Sequence, residues 1–385
     1  MRELRLGPEG NITRDTLSRI SCNTPNGVLF PKLERLFWNT RTADSEIAFF
    51  RLFLSPRLKS VTLCTDIGSP LGQPEAISQI ISSLPISLDQ LLVISRQGKG
   101  PISDAISSLV CRSGSSLGSF GTRVPLSEAA VRHLMQLPNL RYWKTVQGPP
   151  LDIPTSIFPS LEQLHLAEPA ALPWIYLLAS HRNHILQGSS TLATSRANVR
   201  ETLESLKCTS NSIVVDSSLL ASVTMFRNLV TLCVRTYCSS TEGCTFRLTD
   251  NDVENFASGL PRLRELEFGL PCHFNSCDTT VASLLSISTH CLDLVALEIH
   301  FNTRTIVGDI QRLVDGGAQH DEAKCALWSL TVGSLQPVVR EEDIETVAMG
   351  LKIIFPRLVN ISYHKSRWYE VKHRLSRRSF GSFLH

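Results

Sequence analysis

Twelve leucines spaced along the chain constrain its fold more than any other feature. They sit in a recurring phrase, clearest as Phe30-Pro31-Lys32-Leu33-Glu34-Arg35-Leu36, Phe158-Pro159-Ser160-Leu161-Glu162-Gln163-Leu164 and Leu260-Pro261-Arg262-Leu263-Arg264-Glu265-Leu266, and shortened as Leu137-Pro138-Asn139-Leu140 and Phe355-Pro356-Arg357-Leu358. Taking the first leucine of the phrase as an anchor, with or without its proline, the copies fall at Leu33, Leu58, Leu88, Leu117, Leu140, Leu161, Leu203, Leu229, Leu263, Leu294, Leu327 and Leu358. Spacings run from 21 to 34 residues, apart from one of 42 between Leu161 and Leu203. A self-similar period of this length is the signature of a stacked repeat architecture.

The columns say what each repeat is made of. Three residues past the anchors stand Leu36, Val61, Leu91, Phe120, Trp143, Leu164, Leu206, Leu232, Leu266, Leu297, Leu330 and Ile361, all apolar. Five residues past, only Thr122 and Thr145 are clearly polar. Apolar positions two apart, with mostly polar residues between them, describe a strand with one face turned inward. Between the strands the period becomes helical. Ser127 opens an uninterrupted helical run, Thr249 to Asp252 resembles a capping box with Asp in the Glu position, Pro74 fits a first helical turn, and Glu341 begins a segment with acids in its first turn. Strand then helix, repeated, builds a parallel sheet with helices on one side, and stacking buries the apolar face that no repeat can bury alone. The expected fold is therefore α/β, a leucine-rich-repeat solenoid of about twelve irregular repeats, with a curved parallel sheet on the concave face and helices on the convex face. It should span residues 1–364, with an insertion-like stretch at 167–202 that holds a helical segment, Leu172 to Ala179, and a Ser/Thr-rich loop, Ser189 to Asn198. Residues 365–385 form a basic cap or tail.

Bulk properties exclude several classes. A net charge of +3 is too small to imply a nucleic-acid or membrane surface. The longest apolar-leaning run, Ala170 to Ala179, is about half of what a membrane span needs, and Met1 to Gly10 has charges where a secretory leader needs an apolar core. Eleven cysteines with no CxxC pair then read as reduced thiols, which places the protein in the cytoplasm, the nucleus or both.

These features together resemble the fungal F-box/leucine-rich-repeat proteins. The likeness is carried by Phe30 to Trp38, Phe158 to Leu166 and Leu260 to Leu266. The resemblance implies a protein-recognition module whose repeats bind a substrate for a ubiquitin ligase, with an adaptor bound through an F-box. Two departures stand out. The family's Asn eight residues past the anchor is present only at Asn211 and Asn302. No F-box is recognisable, and Met1 to Leu6 fits the strand pattern, so an adaptor contact is expected only if an upstream segment encodes one. A stand-alone scaffold unrelated to ubiquitin is the alternative.

Catalytic motifs do not survive their context. Gly114-Ser115-Ser116-Leu117-Gly118 matches a nucleophile elbow in letters, but a helical stretch precedes it and Leu117 is an anchor. Gly98-Lys99-Gly100 lacks the frame of a phosphate loop. No enzyme activity and no cofactor are expected. Cys238, Cys244, Cys272, His273 and Cys277 lie in two successive loops, where stacking would let four of them meet a zinc ion, though the C-x5-C and C-x4-C spacings are unlike ordinary zinc sites and favour plain thiols. The basic run from Lys365 to Arg378 reads as a capping helix with a solvated face, with a nuclear-import or anionic-partner patch as the alternative. The outward sheet positions are the most informative set. Arg123, Lys144, His165, Lys207 and Arg235 precede Glu265, Glu267 and Glu298, a basic and then an acidic stretch that reads first as independent solvated charges and, alternatively, as a polarised surface for docking a protein.

Overall fold

The computed structural model describes residues 2–6, 14–22, 27–40, 47–65, 74–95, 100–151, 153, 157–167, 171–180, 199–210, 213–236, 245–269, 278–302, 305–315, 325–332, 339–363 and 370–375. The chain divides into two compact units, Met1–Ala170 with Arg182–Thr202, and Ala171–His181 with Leu203–His385.

In unit 1 the strands are β1 (Glu3–Leu6), β2 (Arg35–Thr40), β3 (Ser60–Thr65), β4 (Gln90–Ser95), β5 (Ser119–Thr122), β6 (Tyr142–Thr145) and β7 (Gln163–Ala167). In unit 2 they are β8 (Ser205–Ser210), β9 (Thr231–Thr236), β10 (Glu265–Phe268), β11 (Ala296–Ile299), β12 (Ser329–Val332) and β13 (Asn360–Tyr363). Within each unit the strands lie side by side in chain order, every pair parallel. Each strand from β2 to β13 begins two residues after one of the twelve anchors.

The phrase before each strand has a physical reason. In F-P-x-L the anchor amide donates to the carbonyl three residues back, as in Leu33 to Phe30 at 3.0 Å, Leu263 to Leu260 at 3.2 Å and Leu358 to Phe355 at 3.0 Å. That is a β-turn, and proline pre-sets the backbone angle its second position needs. The two amides after the anchor then share one carbonyl of the preceding repeat. Lys59 and Ser60 both donate to Glu34, and Arg264 and Glu265 both donate to Val230. The turn thus delivers each strand already in register.

That register aligns the column three residues past the anchors. Leu36, Val61, Leu91, Phe120, Trp143 and Leu164 are successive partners in unit 1. Leu206, Leu232, Leu266, Leu297, Leu330 and Ile361 are successive partners in unit 2. None of the twelve is more than 2% exposed, so one unbroken apolar row underlies each sheet. The two polar exceptions five residues past the anchor are inward as well. Thr122 accepts from the Val124 amide at 2.9 Å and Thr145 from the Gln147 amide at 3.0 Å. Each buried hydroxyl closes the turn that ends its strand, which offsets the cost of burying it.

The helices are α1 (Arg14–Cys22), α2 (Pro74–Ser82), α3 (Pro101–Arg112), α4 (Glu128–Gln136), α5 (Ala171–Ser180), α6 (Val199–Thr202), α7 (Ser217–Val223), α8 (Asp250–Gly259), α9 (Val281–His290), α10 (Ile306–Asp315) and α11 (Ile344–Ile354), with 3-10 turns at Ile47–Phe53 and Glu341–Asp343. In α3, Ile102, Ala105, Ile106, Leu109 and Val110 are all buried, a stripe at helical spacing. The Ser127 cap and the Thr249–Asp252 capping box form as the sequence predicts. Asp250, in the first turn of α8, reaches into the next repeat. Its carboxylate accepts from the Thr280 amide and hydroxyl, both at 2.7 Å, and from Ser283 at the start of α9. The segment Leu172 to Ala179, expected as part of an insertion, lies within α5, which buries Trp174, Ile175 and Leu178 and packs on α7 and β8 inside unit 2. The loop Ser189 to Asn198 lies outside the described residues. Of the basic tail, residues 370–375 are helical, with Val371 and Leu375 buried one turn apart and Arg374 facing Glu345 at 3.8 Å.

Candidate protein-binding surface

With the row three past the anchors buried, the residues two and four past them point to the other face of each sheet. Lys144, His165, Lys207, Glu265, Glu267 and Glu298 fall there, while Arg123 and Arg235 stand six past their anchors. Lys144 in β6 and His165 in β7 are direct partners. Arg123 follows β5 and is exposed. In unit 2, Lys207, Cys233, Glu267 and Glu298 are successive partners across β8 to β11, and Glu265 lies opposite Thr231 and Ala296.

The unit 2 face is not a plain acidic patch. Arg235 is bound to Glu267 through both Nε and Nη2, the latter at 3.1 Å from Oε2. The Cys233 thiol donates to the same Oε2 at 3.1 Å. Burial first, then Glu267, pushes the Cys233 thiol up to about 12. It therefore stays protonated as a donor and is a poor nucleophile at neutral pH. Burial also pushes up the thiols of Cys208 and Cys291. Among the described residues Glu265 accepts from Thr231 Oγ1 alone, at 3.4 Å, and Glu298 has no hydrogen bond to another side chain. Between them lies a shallow depression lined by Glu265, Glu267, Ala296, Glu298, Ser329 and Thr331.

Burial and the neighbouring Glu267 push the Glu298 carboxyl up to about 7, with Arg235 opposing. A carboxyl raised in the folded state holds its proton more tightly there than in the unfolded chain. Its contribution is unfavourable above about pH 7 and fades as pH falls toward the ordinary value of 4.5. The group is partly solvated, and screening leaves about 1 kcal/mol of the penalty. Glu298→Gln is expected to raise the unfolding free energy by about 1 kcal/mol at pH 8 and progressively less toward pH 4.5. Denaturant titrations across that range check it, and a gain independent of pH would contradict the assignment.

In unit 1 the face is basic and aromatic. Tyr142 and His165 meet edge to face at 5.0 Å, with the Tyr142 hydroxyl 3.2 Å from His165 Nδ1. Lys144 is half-buried, and burial together with Arg123 holds its ammonium below the usual lysine range. Three features escaped the sequence reading. Gly121 is one, since Leu92, Tyr142 and Lys144 close over it. Cys233 at an outward position is another. The third is the residue just past the anchor, which is charged in most early repeats but becomes Val295, Trp328 and Val359 in the last three, with Trp328 51% exposed. Reading that column as well as the inward ones would have found it.

The elbow-like Gly114 to Gly118 joins α3 to β5, helix to strand, the reverse of what a nucleophile elbow needs, and Ser116 donates to the Leu88 carbonyl at 3.3 Å. Cys238, Cys244, Cys272, His273 and Cys277 all lie outside the described residues. Among the described residues no group of three or more His, Cys, Asp or Glu is placed to hold a metal ion, and no helix is long and apolar enough to cross a membrane.

No family model matches the chain, and no curated protein matches its sequence. Among solved structures it is similar to one described as the crystal structure of the Rad7 and Elc1 complex in yeast, with 16% sequence identity, a TM-score of 0.45, and coverage of 92% of this chain and 72% of that one. The fold assignment rests on the chain's own repeat and strand register.

Proposed function

We propose that this protein is a recognition module that binds another protein on the open faces of its sheets. One observation carries the reading. Each sheet has one face sealed by helices, while the other leaves side chains with unspent binding capacity, among them Lys144, Glu265 and Glu298. Exposed Trp328 adds a residue type that often anchors protein interfaces. On the strength of the resemblance carried by Phe30 to Trp38, Phe158 to Leu166 and Leu260 to Leu266, we infer further that the captured protein is a substrate delivered to an F-box-type ubiquitin ligase. The ubiquitin link requires an F-box in the same assembly; a scaffold that merely joins two proteins requires none.

The test is affinity capture from cells with the wild-type chain and with Lys144→Glu and Glu265→Lys, each shown to be folded. Expected are proteins retained by the wild type and lost with at least one variant, with a ubiquitin-ligase adaptor among the companions. Identical captures by all three would remove the open faces as the binding surface.

A further inference from the structure

We propose that the open face of β4 to β7 in unit 1 docks an acidic, extended segment of a partner protein, with one carboxylate set over the Lys144 ammonium. The inference rests on reading the sheet face as a docking surface and adds the chemistry of one occupant.

Among the described residues no carboxylate stands at an outward position of β3 to β7, where the charged side chains are Lys144 and, just past β5, Arg123. Asp89 and Glu162 belong to the turns before β4 and β7, and Glu162 already faces Arg141 at 3.7 Å. Lys144 makes no ion pair or hydrogen bond among the described residues, whereas Arg235 in unit 2 is answered by Glu267. An unanswered cation on an unpartnered sheet face favours an anionic occupant and disfavours a basic one.

Burial adds a reason for a carboxylate at that spot. The Lys144 ammonium is partly desolvated and feels Arg123, so the folded protein carries a strained charge. A carboxylate from a partner relieves both effects through a charge-assisted hydrogen bond.

Shape then fixes the form of the occupant. A Cβ at position 121 would lie 2.6 Å from Leu92 Cδ1 and 3.2 Å from Lys144 Cβ. Glycine there lets the lysine stem settle on the sheet beside Leu92 and Tyr142, so little side-chain entropy remains to be lost on binding. Leu92, Gly121, Lys144 and His165 are successive partners, about 4.8 Å apart from strand to strand. An extended chain crossing this row can set an apolar side chain on Leu92, a carboxylate on Lys144, and polar atoms near the Tyr142 hydroxyl and His165.

The probe is a fluorescein-labelled peptide, Ser-Asp-Glu-Leu-Asp-Glu-Leu-Ser, titrated with the full chain and followed by anisotropy. Its Asn/Gln counterpart, a phosphoserine version and a Lys-rich peptide are run beside it. The acidic peptide is expected to bind, with affinity falling as salt rises. Affinity should fall about tenfold in Lys144→Glu and in Arg123→Glu, and stay within about threefold in Lys144→Arg. Circular dichroism melting checks folding, and Arg123→Glu, at an exposed position, carries the test if Lys144→Glu does not fold. Absence of binding by the acidic peptide, or binding unchanged in both Glu variants, overturns the inference. If the Lys-rich peptide binds instead and is lost in Glu265→Lys, docking on a sheet face survives while this occupant falls. Far tighter binding of the phosphoserine peptide overturns the carboxylate assignment.

Discussion

Leu266→Asp is expected to leave unit 2 unfolded or aggregated, while Glu265→Lys, one residue away, melts close to the wild type. Leu266 is 1% exposed and sits in the buried row between Leu232 and Leu297. Removing a buried leucine side chain alone costs roughly 2–5 kcal/mol. The carboxylate then faces its apolar neighbours with no cation to answer it, so the total reaches about 5 kcal/mol or more, comparable with the whole stability of a typical domain. In a stacked structure each repeat contacts only its neighbours, and the loss in β10 removes the surface on which β9 and β11 pack. Glu265 points to the open face, is exposed, and among the described residues accepts from Thr231 alone. Exposed substitutions of this kind usually fall within about 0.5 kcal/mol. Thermal melts of the two variants, side by side, decide the matter. A tolerant Leu266→Asp beside a destabilised Glu265→Lys would exchange inside and outside along the whole repeat.

The fold was legible because each repeat states it locally. Position in a strand depends on the anchor a few residues away, and the F-P-x-L turn, the inward pair and the helix caps are all written within a short stretch of chain. Leu36, Trp143 and Ile361 could be placed in one column from spacing alone, since a parallel sheet stacks equal positions. Even the misfit threonines obey the same rule, because Thr122 and Thr145 are inward and bonded to the turn. Threonine hydroxyls also tie successive repeats together. Thr236 donates to the Ile213 carbonyl and Thr279 to the His300 carbonyl, each at 2.8 Å.

The surface was legible only in part, for a related reason. Which residues face outward follows from the period, but which of them neutralise one another depends on side chains some thirty residues apart. The Arg235–Glu267 pair and the Cys233 thiol bound to the same carboxylate could not be read from spacing. They turn an expected acidic run into one paired glutamate flanked by Glu265 and by a Glu298 that holds its proton up to about pH 7. Lys144 shows the opposite case, a cation with no ion pair or hydrogen bond among the described residues, which spacing alone does not reveal. The long spacing from Leu161 to Leu203 marks an insertion-like stretch without saying where its helix packs; in the structure α5 buries Trp174, Ile175 and Leu178 and packs on α7 and β8.

The largest functional effect should come from reversing single charges on the open faces. Desolvated charge contacts at the centre of an interface commonly carry more than 1 kcal/mol each, so Lys144→Glu or Glu265→Lys should weaken binding of the captured partner about tenfold. Charge changes on the helices have no such contact to lose, and Gln79→Lys in α2, which adds a charge, and Glu254→Lys in α8, which reverses one, are at exposed positions of that kind. The most direct measurement is the dissociation constant of one captured partner for these four single variants, taken at a fixed salt concentration after each has been shown to melt like the wild type. The account predicts a loss of about tenfold in at least one sheet-face variant and none beyond about twofold in either helix variant. Loss confined to the helix variants, with both sheet-face variants binding normally, would contradict it.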